Sequence, residues 1–284
     1  MLKRYVDKDG ISLYDEIRKL GGNPDNLFAE RNYIKNSFGF IEMHIEQGPV
    51  LGERDTDIGI VNSIAAPYRL RIIVEGTAAH SGACPMGSRK DALAGAAEVI
   101  LAVEQLGRAY ADKRIVATVG KCDVINEAIN IVPGLVELYV DVRGIDKDTV
   151  TEVVTKLYEE MGRIAEKRNL HIEPAVLGQE TPVKLNDDMA ELLVEQCVPN
   201  RLTFLHMVSG AGHDTMYMAE LTRATMFFVP CLEGISHNKA EAVSDEAVQN
   251  GLKLMYSTLL RICNLDPEEE REKEEMHRRF VEAM

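Results

Sequence analysis

Three histidines stand at the ends of apolar runs, beside glycine or proline, where a strand would stop and a ligand could approach. Their segments are His44-Ile-Glu-Gln-Gly-Pro49, Ala79-His80-Ser-Gly-Ala-Cys-Pro-Met86 and Gly234-Ile-Ser-His237-Asn238. A neutral imidazole in such a place can bind zinc, manganese or a similar ion. A histidine at a strand end is more often a structural residue with satisfied hydrogen bonds, so the residue type alone leaves both interpretations open.

A second group of polar residues has types suited to binding a small anion. In Ser209-Gly-Ala-Gly-His-Asp214, small residues open a predicted helix and offer backbone N–H groups to a negative charge. Arg143 lies opposite the apolar face of its predicted strand, placed for a bidentate contact to a carboxylate, although a surface ion pair with Asp141 explains the same pattern. Asn130 could equally be a turn residue, and Gln47 a cap at a strand end.

The elements that would position these residues begin with a short helix and a buried strand. Ser12 and Asp15 predict a capped helix that ends at Gly21. Residues 38–45 predict a buried strand that delivers His44 and stops before Gly48.

The middle of the chain, from about 63 to 178, has its own periodicity. Residues 69–75 and 135–143 alternate as strands, 91–110 and 148–166 repeat as helices, and 115–119 and 171–176 read as short strands. The apolar stripe of the first helix is Leu93, Ala96, Ala97, Ile100 and Val103, and that of the second is Val150, Val153, Val154, Leu157, Met161 and Ile164. The order strand-helix-strand-strand-helix-strand predicts a ferredoxin-like α+β sandwich with both helices on one face of the sheet.

From about 179 the pattern predicts helices over 187–198 and 244–263 and a short buried strand over 226–229. The inward stripe of the last helix is predicted to be Val248, Leu252, Met255, Leu259 and Ile262. The charged run from 266 through 275 predicts a solvated helix. One domain is therefore interrupted by another, with 63–178 inserted between 1–62 and 179–284.

Composition excludes several classes of partner. The 284 residues include 32 basic and 46 acidic side chains, and the formal net charge of −14 argues against nucleic acid and anionic membranes. No apolar run approaches the ~18 residues of a membrane span, and the first residues lack the apolar core of a signal peptide. Five scattered cysteines without a CxxC spacing indicate reduced thiols. We therefore expect a soluble, cytoplasmic protein.

The three histidine segments together resemble the amidohydrolase branch of the co-catalytic zinc peptidases, which includes N-carbamoyl-L-amino-acid hydrolases, allantoate amidohydrolases and β-ureidopropionases. The resemblance runs from about Tyr5 to Cys263 and corresponds to the C-terminal two-thirds of a family member. It implies a metallopeptidase-like α/β catalytic domain formed by 1–62 and 179–284, with its N-terminal part missing. It also implies that 63–178 form a ferredoxin-like lid through which two chains pair as a homodimer.

The resemblance assigns chemistry to the histidines. His44 and His237 would each bind a different ion of a pair of divalent metals, zinc or manganese. His80 would reach the active site of the partner subunit and stabilise the oxyanion of the tetrahedral intermediate, a contribution of about 3–4 kcal/mol in a competent enzyme.

The resemblance also implies a pocket for a small carboxylate or ureido substrate. The residues that would bind this substrate are Gln47, Asn130, Arg143, Gly210, Ala211 and His213. One departure from the family pattern stands before the first lid strand, where relatives usually carry Ala-Gly-Gln and this chain reads Ala65-Ala66-Pro67-Tyr68. A rigid proline there replaces a polar contact near the domain hinge.

In the family that these residues resemble, the remaining metal ligands and the general-base glutamate precede the segment matching residue 1. We therefore expect a metal-dependent hydrolase of linear amide or ureido C–N bonds, present here as a truncated and inactive portion with weak or absent metal binding. One alternative is a non-catalytic dimeric protein that binds a small molecule. Another is a dipeptidase-type member of the same superfamily.

Overall fold

The computed structural model describes residues 2–26, 34, 36–126 and 128–264, and the chain divides into two compact units, Met1–Phe38 and Gly39–Met284. In the smaller unit, helix α1 (Leu13–Lys19) begins after Ser12, whose Oγ accepts a hydrogen bond of 3.1 Å from the Asp15 N–H. Gly21 follows the helix with a φ of 83°, a conformation that glycine adopts without strain. These features confirm the predicted capped helix.

The larger unit contains the strands and α-helices that follow. In chain order the strands are β1 (Phe40–Ile45), β2 (Ile58–Ile64), β3 (Ala66–Glu75), β4 (Ala79–His80), β5 (Val116–Val124), β6 (Ile131–Val132), β7 (Leu135–Gly144), β8 (His171–Gln179), β9 (Val183–Lys184), β10 (Phe204–Ser209) and β11 (Ala224–Val229). The helices are α2 (Val50–Glu53), α3 (Ala92–Ala109), α4 (Lys147–Arg168), α5 (Asp187–Cys197), α6 (Asp214–Met218) and α7 (Asp245–Cys263). The charged run predicted as a helix over 266–275 lies outside the described residues.

A mixed sheet with the order β1-β11-β2-β10, to which β9 adds through β2, is covered by helices on both faces. On one face, α5 and α7 pack over a core that includes Ile58, Ile60 and Phe227. On the other face, α2 and α6 pack over a core that includes Val61 and Phe228. Every residue of β11 is buried, as expected for a strand enclosed on both sides.

A second sheet is wholly antiparallel, with the order β5-β7-β3-β8. Its elements follow the predicted order of strand, helix, strand, strand, helix and strand. The two long helices α3 and α4 cover one face, over Leu70, Ile72, Val74 and the alternate residues of β7. The predicted inward stripe of α4 is confirmed at all six positions. The stripe predicted for α3 is wrong at Leu93 and Ala97, which are exposed, because the helix buries Ala92, Gly95 and Val99 instead.

The predicted stripe of the last helix is wrong at Leu252 and Leu259, which are exposed, whereas Met255 packs against the core. The buried residues of α7 are Ala247, Gly251, Leu254 and Thr258. A Cβ at position 251 would lie 2.4 Å from the Met43 Sδ atom, so the helix approaches the sheet closely at this point. Apart from Leu254, small residues therefore face the sheet.

Two short strands, β4 and β6, pair antiparallel beside the second sheet, with His80 opposite Ile131. Helices of the described part of the chain include none that is both long and apolar enough to cross a membrane.

Candidate functional site

Strand β1 carries Glu42 and His44 on the same face, because alternate residues of a strand point the same way. His44 lies opposite Phe228 in the pairing with β11, on the face that α6 covers. The Nδ1 atom of His44 lies 2.8 Å from the carbonyl oxygen of Ile45, to which it donates in the neutral imidazole. This hydrogen bond leaves Nε2 as the atom with a free lone pair, which is the arrangement that a metal-binding histidine requires.

His213 is buried directly beside His44, just before α6 begins. The two imidazole rings meet edge to face with centroids 4.7 Å apart, and the His213 ring lies 5.5 Å from that of Phe228. Burial, and after it the neighbouring His44, lowers the pKa of His213, so the imidazole is neutral at pH 7. The predicted substrate-binding histidine and the predicted metal-binding His44 therefore form one cluster.

Glu42 joins this cluster and was missed in the sequence analysis. Its Oε2 accepts hydrogen bonds from the backbone N–H of Thr215 at 2.9 Å and from the Thr215 hydroxyl at 2.5 Å. Its Oε1 lies 3.9 Å from the Nδ1 atom of His213. Glu42 therefore connects β1 to the first turn of α6. The spacing of two residues between Glu42 and His44 within a predicted strand was the signal that could have identified it.

Ser209 orients His213 from the other side of the ring. Its Oγ lies 2.7 Å from the Nε2 of His213, accepts a hydrogen bond of 3.1 Å from the Ala211 N–H, and lies 3.0 Å from the Ala211 carbonyl oxygen. The backbone N–H of Ala211 was predicted to bind an anion, but here it is used inside the loop. The loop therefore positions His213 instead of presenting that N–H group to a ligand.

The segments of Gln47 and His237 meet through a short network. The Gln47 Nε2 donates to the Ser236 Oγ at 3.2 Å, and this hydroxyl donates to Glu241 Oε2 at 2.7 Å. The same carboxylate oxygen accepts the backbone N–H of His237 at 3.1 Å. The hydrogen bond from the Ser236 hydroxyl, and then that from the His237 N–H, lower the pKa of Glu241. Glu241 was also missed, and its carboxylate joins the segment of Gln47 to that of His237.

Arg143 is held at the end of β7 by bonds to two regions. Its Nε and Nη2 donate to the two carboxylate oxygens of Asp141 at 2.7 and 2.9 Å, and its Nη1 donates to the carbonyl oxygen of Gly210 at 2.6 Å. The ion pair with Asp141, weighed above as the alternative to a carboxylate-binding role, is therefore present. The hydrogen bond to Asp141 raises the pKa of Arg143. These bonds use three of the five N–H groups of the guanidinium, and two remain.

A pocket of about 270 Å³ lies between this arginine and the loop that holds His213. Its lining includes Pro67, Arg143, Gly212, His213 and Met216. The pocket joins three predicted features: the substrate-binding arginine, the small-residue loop with its histidine, and the proline that departs from the family pattern.

His80 and Asn130 form a separate cluster on the β4–β6 pair. The Ser81 N–H donates to the carbonyl oxygen of Asn130 at 2.9 Å, and His80 is exposed. The Nδ1 of His80 accepts the backbone N–H groups of Gly82 and Ala83 at 3.1 and 3.2 Å. The proton of the neutral ring is therefore on Nε2, which faces outward from its own loop as a hydrogen-bond donor.

The side chains of the described residues fit a divalent metal only in part. Over residues 2–26, 34, 36–126 and 128–264, no three His, Cys, Asp or Glu side chains are grouped closely enough to hold an ion. A catalytic zinc site uses about three protein ligands. The predicted ligands His44 and His237 therefore do not form a complete site with the other described residues.

Comparisons with known proteins define the family. The chain belongs to the peptidase family M20/M25/M40, whose model matches residues 16–261. It is similar to the N-carbamoyl-L-amino-acid amidohydrolase of Pseudomonas sp. (strain NS671), with 33% identity over 258 residues that cover 90% of this chain and 62% of the relative. It is 34% identical to the ureidoglycolate hydrolase of Arabidopsis thaliana over 261 residues, 90% of this chain and 55% of that protein.

A solved structure shows the same mixed α/β fold. The crystal structure of an amidase of the hydantoinase/carbamoylase family from Burkholderia multivorans superimposes with a TM-score of 0.80 at 30% identity, covering 90% of this chain and 61% of that one. The family resemblance drawn from the histidine segments is thus confirmed. The chain spans 55% to 62% of the length of these relatives.

Proposed function

We propose that this chain carries the substrate-binding part of a metal-dependent amidohydrolase that cleaves linear ureido or amide C–N bonds in small carboxylates. The observation that supports this most directly is the pocket whose lining includes both Arg143 and His213. Relatives named for N-carbamoyl-amino acids and ureidoglycolate share a substrate chemistry, a carboxylate close to a ureido group. One arginine and one neutral imidazole suit the two ends of such a molecule.

Arg143 would bind the carboxylate through the two N–H groups that Asp141 and Gly210 leave available. Because Asp141 and Gly210 hold the guanidinium in place, little side-chain entropy is lost when the carboxylate binds. His213, fixed by Ser209 and Glu42, would contact the ureido group, and Gln47 would contact it from the segment after β1.

His44 and His237 are proposed as metal ligands, each contributing one imidazole to a divalent ion, zinc or manganese. The free Nε2 of His44 supports its assignment, and the Glu241 carboxylate that holds the His237 N–H supports that of His237. The described residues alone supply too few ligands for a metal pair, so we expect the chain by itself to bind metal weakly and to be nearly inactive.

His80 and Asn130 are proposed to act from a lid. The predicted boundaries at 63 and 178 lie beside the two links between the sheets. In the first link, β2 ends at Ile64 and β3 begins at Ala66. In the second, β8 ends at Gln179 and β9 begins at Val183. We propose that 63–178 is a ferredoxin-like lid and dimerisation domain inserted into an α/β catalytic domain. The outward Nε2–H of His80 would then donate to an oxyanion in the partner subunit's site.

The five free thiols agree with a cytoplasmic location.

The test combines turnover and binding. The purified chain, with and without added Mn²⁺ or Zn²⁺, is offered N-carbamoyl-L-methionine, ureidoglycolate and a dipeptide. A coupled assay follows ammonia release from the two ureido compounds, a free-amine assay follows hydrolysis of the dipeptide, and calorimetry follows binding of all three. Binding of both ureido compounds but not of the dipeptide supports the proposal. Binding of neither ureido compound would overturn it.

A second candidate is a non-catalytic protein that binds the same ureido carboxylates. The observation that favours it is the incomplete set of metal ligands among the described residues. The same assay separates the two candidates. Because the hydrolase is expected to be nearly inactive as this chain, the discriminating result is residual turnover in excess metal. Slow ammonia release that depends on added metal and stops with a chelator supports the hydrolase, and saturable binding with no release even in excess metal supports the binding protein.

A further inference from the structure

A second pocket lies away from the site described above, between the start of α3 and the end of α4. It has a volume of about 490 Å³, within the range of sites that hold small organic ligands. Two segments distant in the sequence line it, the turn at 86–91 and the end of α4 at 167–169. Four basic side chains lie on its wall: Arg89, Lys90, Lys167 and Arg168.

This concentration of positive charge contrasts with the formal net charge of −14 for the chain. Among the lining residues, Asp91 is the only acidic one. Its carboxylate accepts the backbone N–H of Ala94 at 3.0 Å and caps α3. The pocket therefore has an excess of cations that local acidic residues do not balance.

The two basic residues at the end of α4 share a single carboxylate. Lys167 Nζ lies 3.0 and 3.1 Å from the two oxygens of Glu98, and Arg168 Nε donates to one of them at 2.8 Å. The hydrogen bond from Arg168, and then that from Lys167, lowers the pKa of Glu98. Both cations also lie where they offset the negative end of a helix. Helix stabilisation thus explains part of the cluster, with one positive charge left over.

The other two basic residues have no such explanation. Arg89 donates from Nη2 to the Ser81 carbonyl oxygen at 2.5 Å and from Nε to the Cys84 carbonyl oxygen at 3.1 Å, so its partners are uncharged. Lys90 is exposed and forms no ion pair with any residue that the structure describes. Solvent screens the exposed charges, so their repulsion is modest, and an anion between them would gain attraction from each.

We propose that this pocket binds a small molecule bearing a phosphate group. Two arginines and two lysines from two segments match the three oxygens and the double charge of a phosphate. The volume exceeds that of phosphate alone, so the organic part of the molecule would occupy the rest of the pocket. Arg89 also holds the loop that follows His80, so a bound phosphate would lie against the residue that fixes this loop.

Inorganic pyrophosphate is the probe, with citrate as a carboxylate of comparable charge, and calorimetry at low and high salt gives the affinity of the whole chain for each. We expect saturable pyrophosphate binding, weakened by salt and tighter than that of citrate. Lys90→Gln and Lys167→Gln should each weaken it about tenfold. Lys147→Gln, an exposed lysine at the other end of α4, is the matched control and should change it less than twofold.

Three outcomes would overturn the proposal: no saturable binding, equal affinity for citrate, or equal weakening by Lys147→Gln. Circular dichroism of each variant verifies the fold, and all three substitutions replace exposed lysines, so unfolding is not expected. The measurement needs no catalysis, so its result is independent of the proposed amidohydrolase reaction.

Discussion

The two sheets of the larger unit differ in how they are covered, and the predicted site residues divide along the same line. The first sheet is enclosed on both faces, and it holds the buried His213 beside the half-buried His44 and Glu42. Among the elements that the structure describes, helices cover the second sheet on one face only, and its open face carries ion pairs such as Arg71 with Glu137 and Arg143 with Asp141. Packing restricts the side chains of the site residues in the first sheet, whereas ion pairs restrict those on the open face of the second sheet.

This contrast suggests that the two sheets hold side chains with different roles. Side chains that must hold one orientation, such as neutral imidazoles, lie where burial restricts their rotamers. Arg143, proposed to offer its two remaining N–H groups to a ligand, lies on an open face where its partners are polar and partly solvated. Substitutions in the two sheets should therefore have different kinds of effect.

The largest effect is expected in the enclosed sheet. Phe227→Ala in β11 removes a fully buried ring and should lower the free energy of unfolding by about 3–5 kcal/mol. Val176→Ala in β8 of the open sheet, where the side chain is 53% exposed, should change it by less than about 0.5 kcal/mol. Urea unfolding followed by circular dichroism measures both. Similar losses for the two variants would contradict the contrast between the sheets.

Arg143→Lys should affect binding more than folding. Lysine lacks the planar fork that reaches Asp141, Gly210 and a carboxylate together, so affinity for N-carbamoyl-L-methionine should fall about 10- to 50-fold. Arg71→Lys is the matched control, because Arg71 makes a bidentate pair with Glu137 on the same sheet. Calorimetric affinities that fall equally in both variants would remove Arg143 from the binding site.

Glu42→Gln tests the link between β1 and α6. The amide oxygen can still accept from Thr215, but the hydrogen bonds lose their charge assistance, so stability should fall by about 1 kcal/mol. Glu53→Gln, at an exposed position in α2, should leave it within about 0.5 kcal/mol. An unchanged urea midpoint in Glu42→Gln would show that this carboxylate does not hold the cluster together.

The smallest effect concerns the stability that Asp141, on the open face of the second sheet, loses at low pH. Burial would raise the pKa of Asp141, but the hydrogen bonds and charges of Arg143 and Arg69 outweigh it and hold the pKa below its ordinary value. A lowered folded-state pKa contributes stability above the unfolded pKa of about 3.9, and that contribution is lost as pH falls through the folded pKa.

The difference in unfolding free energy between wild type and Asp141→Asn should therefore be constant above about pH 5 and shrink below about pH 4. Its size should stay under about 1 kcal/mol, because the Asp141 side chain is 29% exposed and solvent screens the pair. Urea titrations at several pH values measure the difference. A difference that is flat down to pH 3 would exclude the ion pair as its source.

Local periodicity was sufficient to predict the buried residues of an element wherever one of its faces packs against a regular surface. The stripe of α4 and the alternation of β3 and β7 were predicted correctly, because large apolar side chains lie on a single face. In α7 the same reasoning selected Leu252 and Leu259, which are exposed. There the helix lies so close to the sheet that Gly251 and Ala247 face it, and a hydrophobic pattern cannot show how near two elements approach.

The candidate site shows the same limit, since a local pattern does not tell which side chains the fold brings together. His44, His213, Arg143 and their neighbours could be singled out as candidates from their types and segments, because strand ends and small-residue loops are local features. The spacing of Glu42 from His44 places it on the same face of the strand, but only the fold shows that this carboxylate meets Thr215 and His213. Glu241 had no such local signal, and its contacts with Ser236 and His237 also come from the fold.

The sequence by itself determined the family, the order of the elements and the residue types of the pocket, since these depend on segments of a few residues. Only the tertiary structure decided that the His44 ring contacts His213, that Arg143 pairs with Asp141 while reaching Gly210, and that four cations from two segments line one pocket. Each of these contacts joins residues through the angle and spacing of packed elements. That geometry depends on the fit of the whole core, which no single segment encodes.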